Sequence, residues 1–279
     1  SGYFNASLYT PYAIQGIETL GVEIVEDALR VAGKLPKAVI VTNAGGGNLT
    51  GTARGIRKTT DKKIEIIAAS VNLAGLHMAS DVDFNRKSFT TGHTGFGMPF
   101  MTNPDRSDVP RSAARPLRYM DRYVTVNQGE VFFATEMLAA LEGIERGPAG
   151  NTSLAAAFSL AREYPADEII VVQETEYTGA GKHHQAQLDF AKKMGIEVRF
   201  GNPEEEIPGK SIVLPDSAGK IQARDYDLDR ARKSLIRRAT EGVGALTAKD
   251  LVFLAEEVNR DAEYVKAVLK ELGKEWEER

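Results

Sequence analysis

Two glycine-rich stretches, the first directly behind a short apolar run and the second ahead of one, hold most of this chain's capacity for chemistry. The first is Ala44 to Gly51 (AGGGNLTG), set between AVIVT and a helix-like segment. Three successive residues without Cβ let backbone N–H groups converge, and a helix starting behind them adds the positive end of its dipole. Such a loop cradles phosphate. Glycine costs about 0.5–1 kcal/mol relative to alanine in regular structure, so three together imply a purpose beyond a turn. A nucleoside triphosphate is disfavoured, because Asn48-Leu49-Thr50 stands where a P-loop needs Lys followed by Ser or Thr. The looser spacing Gly45, Gly47, Gly51 does not make a dinucleotide site, since Ser70 to Leu73 offers no acidic residue for ribose hydroxyls. A single phosphate monoester has no further requirement.

The second stretch is Gly147 to Ser153 (GPAGNTS), which leads through a helix and the run IIVVQ into the loop ETEYTGAGKHH. Hydroxyls and carboxylates at the carboxyl end of a strand sit where open α/β sheets bind ligands, although TGAG is also ordinary turn composition. Adjacent His183 and His184 point in different directions on any regular element and do not form a metal pair by spacing, and a bound metal is not expected. His77 and His93, in the long Gly- and Thr-rich segment between the two halves, are candidate acid–base groups, with a structural imidazole as the bland reading. Arg106, Arg111, Arg115, Arg118 and Arg122, interleaved with Asp105, Asp108 and Asp121, are suited to carboxylate or phosphate. The mixed signs equally fit a charge-laced surface.

The elements that must position these groups alternate. A helix over Ala13 to Ala32 precedes the strand Ala38 to Thr42; a helix over Leu49 to Arg57 and a strand over Ile64 to Ala69 complete a strand, glycine loop, helix, strand unit. The pattern returns with a strand over Tyr123 to Val126, helices over Glu130 to Glu145 and Thr152 to Glu163, a strand over Ile169 to Gln173, a helix over Gln185 to Met194 and a strand over Ile196 to Phe200. This order predicts an α/β fold with an open, mostly parallel sheet and helices on both faces. Past Gly201 a turn-rich connector, a strand over Ser211 to Leu214 and three charged helices within Asp227 to Leu272 follow. The expected division is therefore an α/β ligand-binding domain over 1–200 and a strand-and-helix appendage over 201–279.

Composition limits the partners. The chain has 279 residues, 42% hydrophobic and 27% charged, and a net charge of −4, which supplies no field to hold a nucleic acid by counterion release. It has no cysteine, hence no disulfide, thiolate nucleophile or zinc-thiolate site. No run approaches the ~20 apolar residues of a membrane span, and the cytoplasm is the expected compartment. The opening serine, with no basic or apolar leader behind it, reads as part of a longer product.

AVIVTNAGGGNLTGTARG resembles the phosphate loop of fold-type II pyridoxal-phosphate enzymes, the threonine synthase, cysteine synthase and tryptophan synthase β group. VVQETEYTGAGKH is similar to their strand followed by Thr-Gly-x-Gly. The resemblance implies pyridoxal 5'-phosphate as cofactor, Gly45, Gly46, Gly47 and Asn48 as its phosphate ligands, and the hydroxyl of Thr178 against the pyridine nitrogen. The segments YFNASLYTP, GLHMASD, KSFTTGHTGFGMPF, PDRSDVPRSAARPLRYMDRYVTVNQGEVF and GPAGN narrow it to the β subunits of pyridoxal-phosphate thiolases of ornithine degradation. Those are acyltransferases that cleave 2-amino-4-oxopentanoate with coenzyme A to acetyl-CoA and alanine, together with a small α subunit in a homo- or hetero-oligomer. The family's Schiff-base lysine lies in an N-terminal Ser-x-Ser-x-Lys type motif ahead of this segment, and Lys34, Lys37, Lys58, Lys62 and Lys63 lie in no comparable motif. These residues alone are therefore expected to be inactive. A threonine synthase-like lyase or β-replacement enzyme and a non-catalytic phosphate-ligand module remain alternatives.

Overall fold

The computed structural model describes residues 10–72, 116–174, 184–207 and 209–277. The strands β1 (Ala38–Thr42), β2 (Glu65–Val71), β3 (Arg122–Val126), β4 (Ile170–Gln173) and β7 (Arg224–Asp225) form one sheet in the order β4-β1-β2-β3-β7. All pairs are parallel except β3 with β7. A second, parallel pair joins β5 (Glu197–Phe200) to β6 (Ser211–Leu214).

Alternation along the strands sorts side chains onto two buried faces, which is why these runs are apolar throughout. Val39, Val41, Ile66, Ala68 and Tyr123 point to one face, covered by α1 (Pro11–Ala32) and α2 (Gly47–Thr59). Ala38, Ile40, Ile67, Ala69 and Val124 point to the other, covered by α3 (Gln128–Glu142) and α4 (Thr152–Leu160). Ile40 and Ile67 are wholly buried, each stabilising the fold by about 1.5–3 kcal/mol. The expected α/β architecture, with helices on both faces of a mostly parallel sheet, is the one observed.

α1 and α2 cross with backbone almost against backbone. A Cβ on Gly21 would lie 2.7 Å from the Ile56 nitrogen, and one on Gly51 would lie 2.6 Å from the Ile17 Cβ. The sequence supplies glycine where the two helices leave no room for a side chain. Glu18 of α1 is buried at this seam and pairs with Arg54 at 2.7 Å and with Lys58.

α3 begins two residues earlier than its apolar spacing predicts, because Asn127 and Glu130 close a capping box at its start. Glu206 reinforces that end, accepting from Gln128 N (2.8 Å), Gly129 N (2.9 Å) and Val213 N (3.0 Å), which clips the β6 segment onto α3. β7, only two residues long, carries no signal that periodicity could detect. The helices α6 (Asp229–Ala239), α7 (Ala248–Glu257) and α8 (Ala262–Glu271) share their own apolar cluster around Ile236, Leu254, Val265 and Leu269. Among the described residues no helix is long and apolar enough to cross a membrane.

Candidate functional site

β2 and β3 lie to one side of β1 and β4 to the other, so the sheet's switch point falls between β1 and β4. Open α/β sheets bind ligands outside the carboxyl ends of the strands at such a point. The chain leaves β1 there into Asn43 to Gly46, and leaves β4 there at Glu174. The two glycine-rich stretches singled out above both reach this edge.

Gly46 has φ +81°, left-handed, and is the N-cap of α2, where no side-chain cap is made. A Cβ on it would lie 2.7 and 2.8 Å from Cγ and Cδ of Pro116. Only glycine fits both the dihedral and the space. The first-turn N–H groups of α2 have no intrahelical acceptor and, with no side-chain cap, are available to an anion in the field of the helix dipole. Gly45 and Asn48 are half-buried, Gly46 and Gly47 buried, so the loop is partly open to solvent.

One tether joins the two stretches. Thr42 Oγ1 lies 3.0 Å from the Gly150 carbonyl and 3.2 Å from Ser153 Oγ, and it accepts from Ser153 N at 3.1 Å. Ser153 Oγ lies 2.9 Å from both the Gly150 and the Gln173 carbonyls. A serine at the start of α4 thus ties together the ends of β1 and β4.

Two residues at this edge were not singled out in the sequence. Asn43 is 2% exposed, and neither atom of its amide completes a hydrogen bond of good geometry. An unpaired buried polar group costs about 1–3 kcal/mol, and such groups are met at sites completed by a ligand. Glu174 is the other. With the buried Asn151 amide turned so that its oxygen lies 3.2 Å from the Thr135 hydroxyl, its nitrogen donates to both Glu174 oxygens at 3.0 and 3.1 Å. Burial pushes the Glu174 carboxyl up to about 7, opposed by Arg146. That is a proton-exchanging group near neutrality at the switch point. Neither was legible, because a polar residue at a strand end is commonplace.

Thr178, His77, His93 and His183 lie outside the described residues, as do Arg106, Arg111 and Arg115. His184 opens α5 (His184–Lys193). Arg118 and Arg122 are taken up by structural pairs. Arg118 bonds Glu257 (2.6 Å) and Glu256; Arg122 bonds Asp225 (2.6 Å) and Glu163 (2.6 Å), partners that push its pKa above the ordinary arginine value. Among the described residues no group of His, Asp and Glu has the makings of a metal site.

A helix N-terminus left uncapped behind a glycine cradle, with an unpaired buried amide beneath it, fits a phosphorylated cofactor. Residues 1–176 match the family model of pyridoxal-phosphate dependent enzymes, and the chain belongs to that family. It is 63% identical over 274 residues to the 2-amino-4-ketopentanoate thiolase beta subunit of Acetoanaerobium sticklandii, and 62% identical over 275 residues to a beta subunit of the same name from an unknown prokaryotic organism. Each match covers 98% of this chain, which spans 58% of the relatives' length. Among solved structures, a threonine deaminase from T.th. aligns at TM-score 0.46 and 19% identity, over 60% of this chain and 58% of that one.

Proposed function

We propose that this chain is the cofactor-binding part of a pyridoxal-phosphate thiolase β subunit, an acyltransferase that cleaves 2-amino-4-oxopentanoate with coenzyme A to acetyl-CoA and alanine. The observation that supports it most is the 63% identity, sustained over 98% of the chain, to a protein of that name. In this reading the backbone amides of Gly45, Gly46, Gly47 and Asn48 hold the cofactor phosphate, and the Thr178 hydroxyl faces the pyridine nitrogen. Bound pyridoxal phosphate supplies an electron-withdrawing ring joined to the substrate's amino group, which lets the electrons freed at C3 be delocalised after a thiol attacks C4. In this reading His93, His77 and Glu174 move the accompanying protons. The 1–200 segment would carry this site and 201–279 support it, and the α subunit implied by the relatives' name would be the partner, in a soluble cytoplasmic oligomer.

The lysine that anchors the cofactor is proposed to lie outside these 279 residues, so that they are inactive by themselves. Borohydride reduction of the full-length holoenzyme followed by peptide mapping tests this. A pyridoxyl label outside the present segment is expected; a label within it overturns the assignment. Product analysis tests the reaction: coenzyme A-dependent formation of acetyl-CoA is expected. Turnover indifferent to coenzyme A refutes the thiolase and favours a lyase or β-replacement activity.

A further inference from the structure

We propose that the side-chain amide of Asn43 is an additional ligand of the cofactor phosphate, reaching it from the sheet side beneath the glycine loop. The inference rests on the reading that a phosphate monoester occupies that loop. It begins from direction. Asn43 follows β1, its N–H donates to the Ala69 carbonyl at 2.7 Å, and its own carbonyl accepts from the Ser70 hydroxyl. Both backbone polar groups are therefore pinned to β2. By the alternation of an extended chain, the Thr42 side chain goes to the face of α4, where it meets Ser153, and the Asn43 side chain goes to the face of Val39 and Val41, under α2. There one end of the amide, Oδ1, lies 3.4 Å from where a Cβ of Gly46 would stand, against the N-cap of α2, and turning the amide about its own axis puts the donor Nδ2 in that place.

The floor under Asn43 is polar and rigid. Tyr123, fully buried on β3, donates to Ser70 Oγ at 2.7 Å, and Ser70 donates to the Asn43 carbonyl. Burial keeps the Tyr123 phenol protonated far above neutrality, offset by Ser70 and the neighbouring Asn43 amide, so this chain of hydroxyls carries no charge. The Tyr123 ring is part of the apolar core on this face, and the hydroxyls of Tyr123 and Ser70 add a hydrogen-bonded row that holds the Asn43 backbone in place. Its amide nonetheless completes no hydrogen bond of good geometry. Pro116 stands against Gly46, Tyr123 and Ser70 lie below, and with the amide turned its donor faces the loop where the α2 amides converge. A neutral donor there adds one contact to a dianion without the desolvation cost of a buried lysine.

The test compares two ligands of the full-length protein, pyridoxal phosphate and pyridoxal, whose affinity ratio isolates the phosphate contacts. Asn43→Ala is expected to lower that ratio about tenfold and Asn43→Asp, which sets a carboxylate against the phosphate, about a hundredfold, with pyridoxal affinity unchanged in both. The 31P resonance of bound cofactor should move in both variants. If the alanine variant melts too low to titrate, Asn43→Ser, which retains a short donor, should keep part of the preference. A wild-type protein that prefers the phosphorylated form, with variants that retain the whole preference and an unmoved 31P signal, overturns the assignment of Asn43 alone. A wild type that does not distinguish the two ligands overturns the phosphate reading of the loop itself.

Discussion

Replacing Gly46 by alanine separates conformational strain from packing, because Gly33 provides a matched control. Gly46 sits at φ +81° with Pro116 Cγ and Cδ 2.7 and 2.8 Å from the place a Cβ would take; Gly33, the C-cap of α1, sits at φ +70° with nothing within 4 Å. A left-handed alanine costs about 1–2 kcal/mol wherever it stands. Gly33→Ala should show that alone. At Gly46 the new carbon also falls well inside the ~3.5–4.0 Å optimum for carbon pairs, and overpacking of this kind adds about 1–3 kcal/mol. Gly46→Ala should therefore destabilise by about 2–5 kcal/mol. Urea unfolding of the cofactor-free protein measures both variants, and cofactor titration should show weakened pyridoxal phosphate binding only for Gly46→Ala. Equal losses within about 0.5 kcal/mol, or intact cofactor affinity in Gly46→Ala, would refute the argument that ring and dihedral together require glycine here.

Two further outcomes follow from buried groups. The Glu174 carboxyl rises from an ordinary 4.5 to about 7 on folding, so the native state holds its proton more tightly than the unfolded chain; the stability this contributes is whole below about pH 4.5 and is lost as pH climbs through 7. Glu174→Gln should flatten the decline in stability between pH 5 and 8 and gain about 1–3 kcal/mol at pH 8, toward the lower end because the Asn151 amide also favours the charged form; an unchanged pH profile in urea titrations would contradict it. Gly129→Ala would drive a Cβ into the Val213 carbonyl and to 2.9 Å from the Leu214 nitrogen, so a loss of more than about 3 kcal/mol is expected, and a melting temperature within about 2 °C of wild type would show that α3 and β6 can part without penalty.

The parts of this fold that were legible are those whose signal is local. AVIVT predicts Ala38–Thr42 to the residue, because a strand buried on both faces must be apolar without interruption and the glycines behind it end it abruptly. The helix after the loop runs two residues further at each end than its apolar spacing shows, since Gly47 is helical only by virtue of the left-handed Gly46 before it. Strand order was not legible: that β4 returns beside β1 depends on contacts more than a hundred residues apart, and the switch point follows from it alone. At the site, three glycines in a row announce a cradle. Asn43 and Glu174 do not announce themselves, for one is defined by a bond it lacks and the other by how little water surrounds it.

The glycine seam between α1 and α2 bears on how the pocket moves. Where Gly21 brings the main chains of the two helices together no rotamer is left to rearrange, so α2 resists tilting and its leading end stays registered to the sheet. Among the described residues, breathing at the switch point then falls to the opposite flank, where hydroxyl contacts of Thr42 and Ser153, rather than interlocked backbones, join α4 to the strands. In amide hydrogen exchange the α1–α2 crossing should be among the slowest of the described regions, and of the described walls the one beside α4 should yield first to a guest molecule.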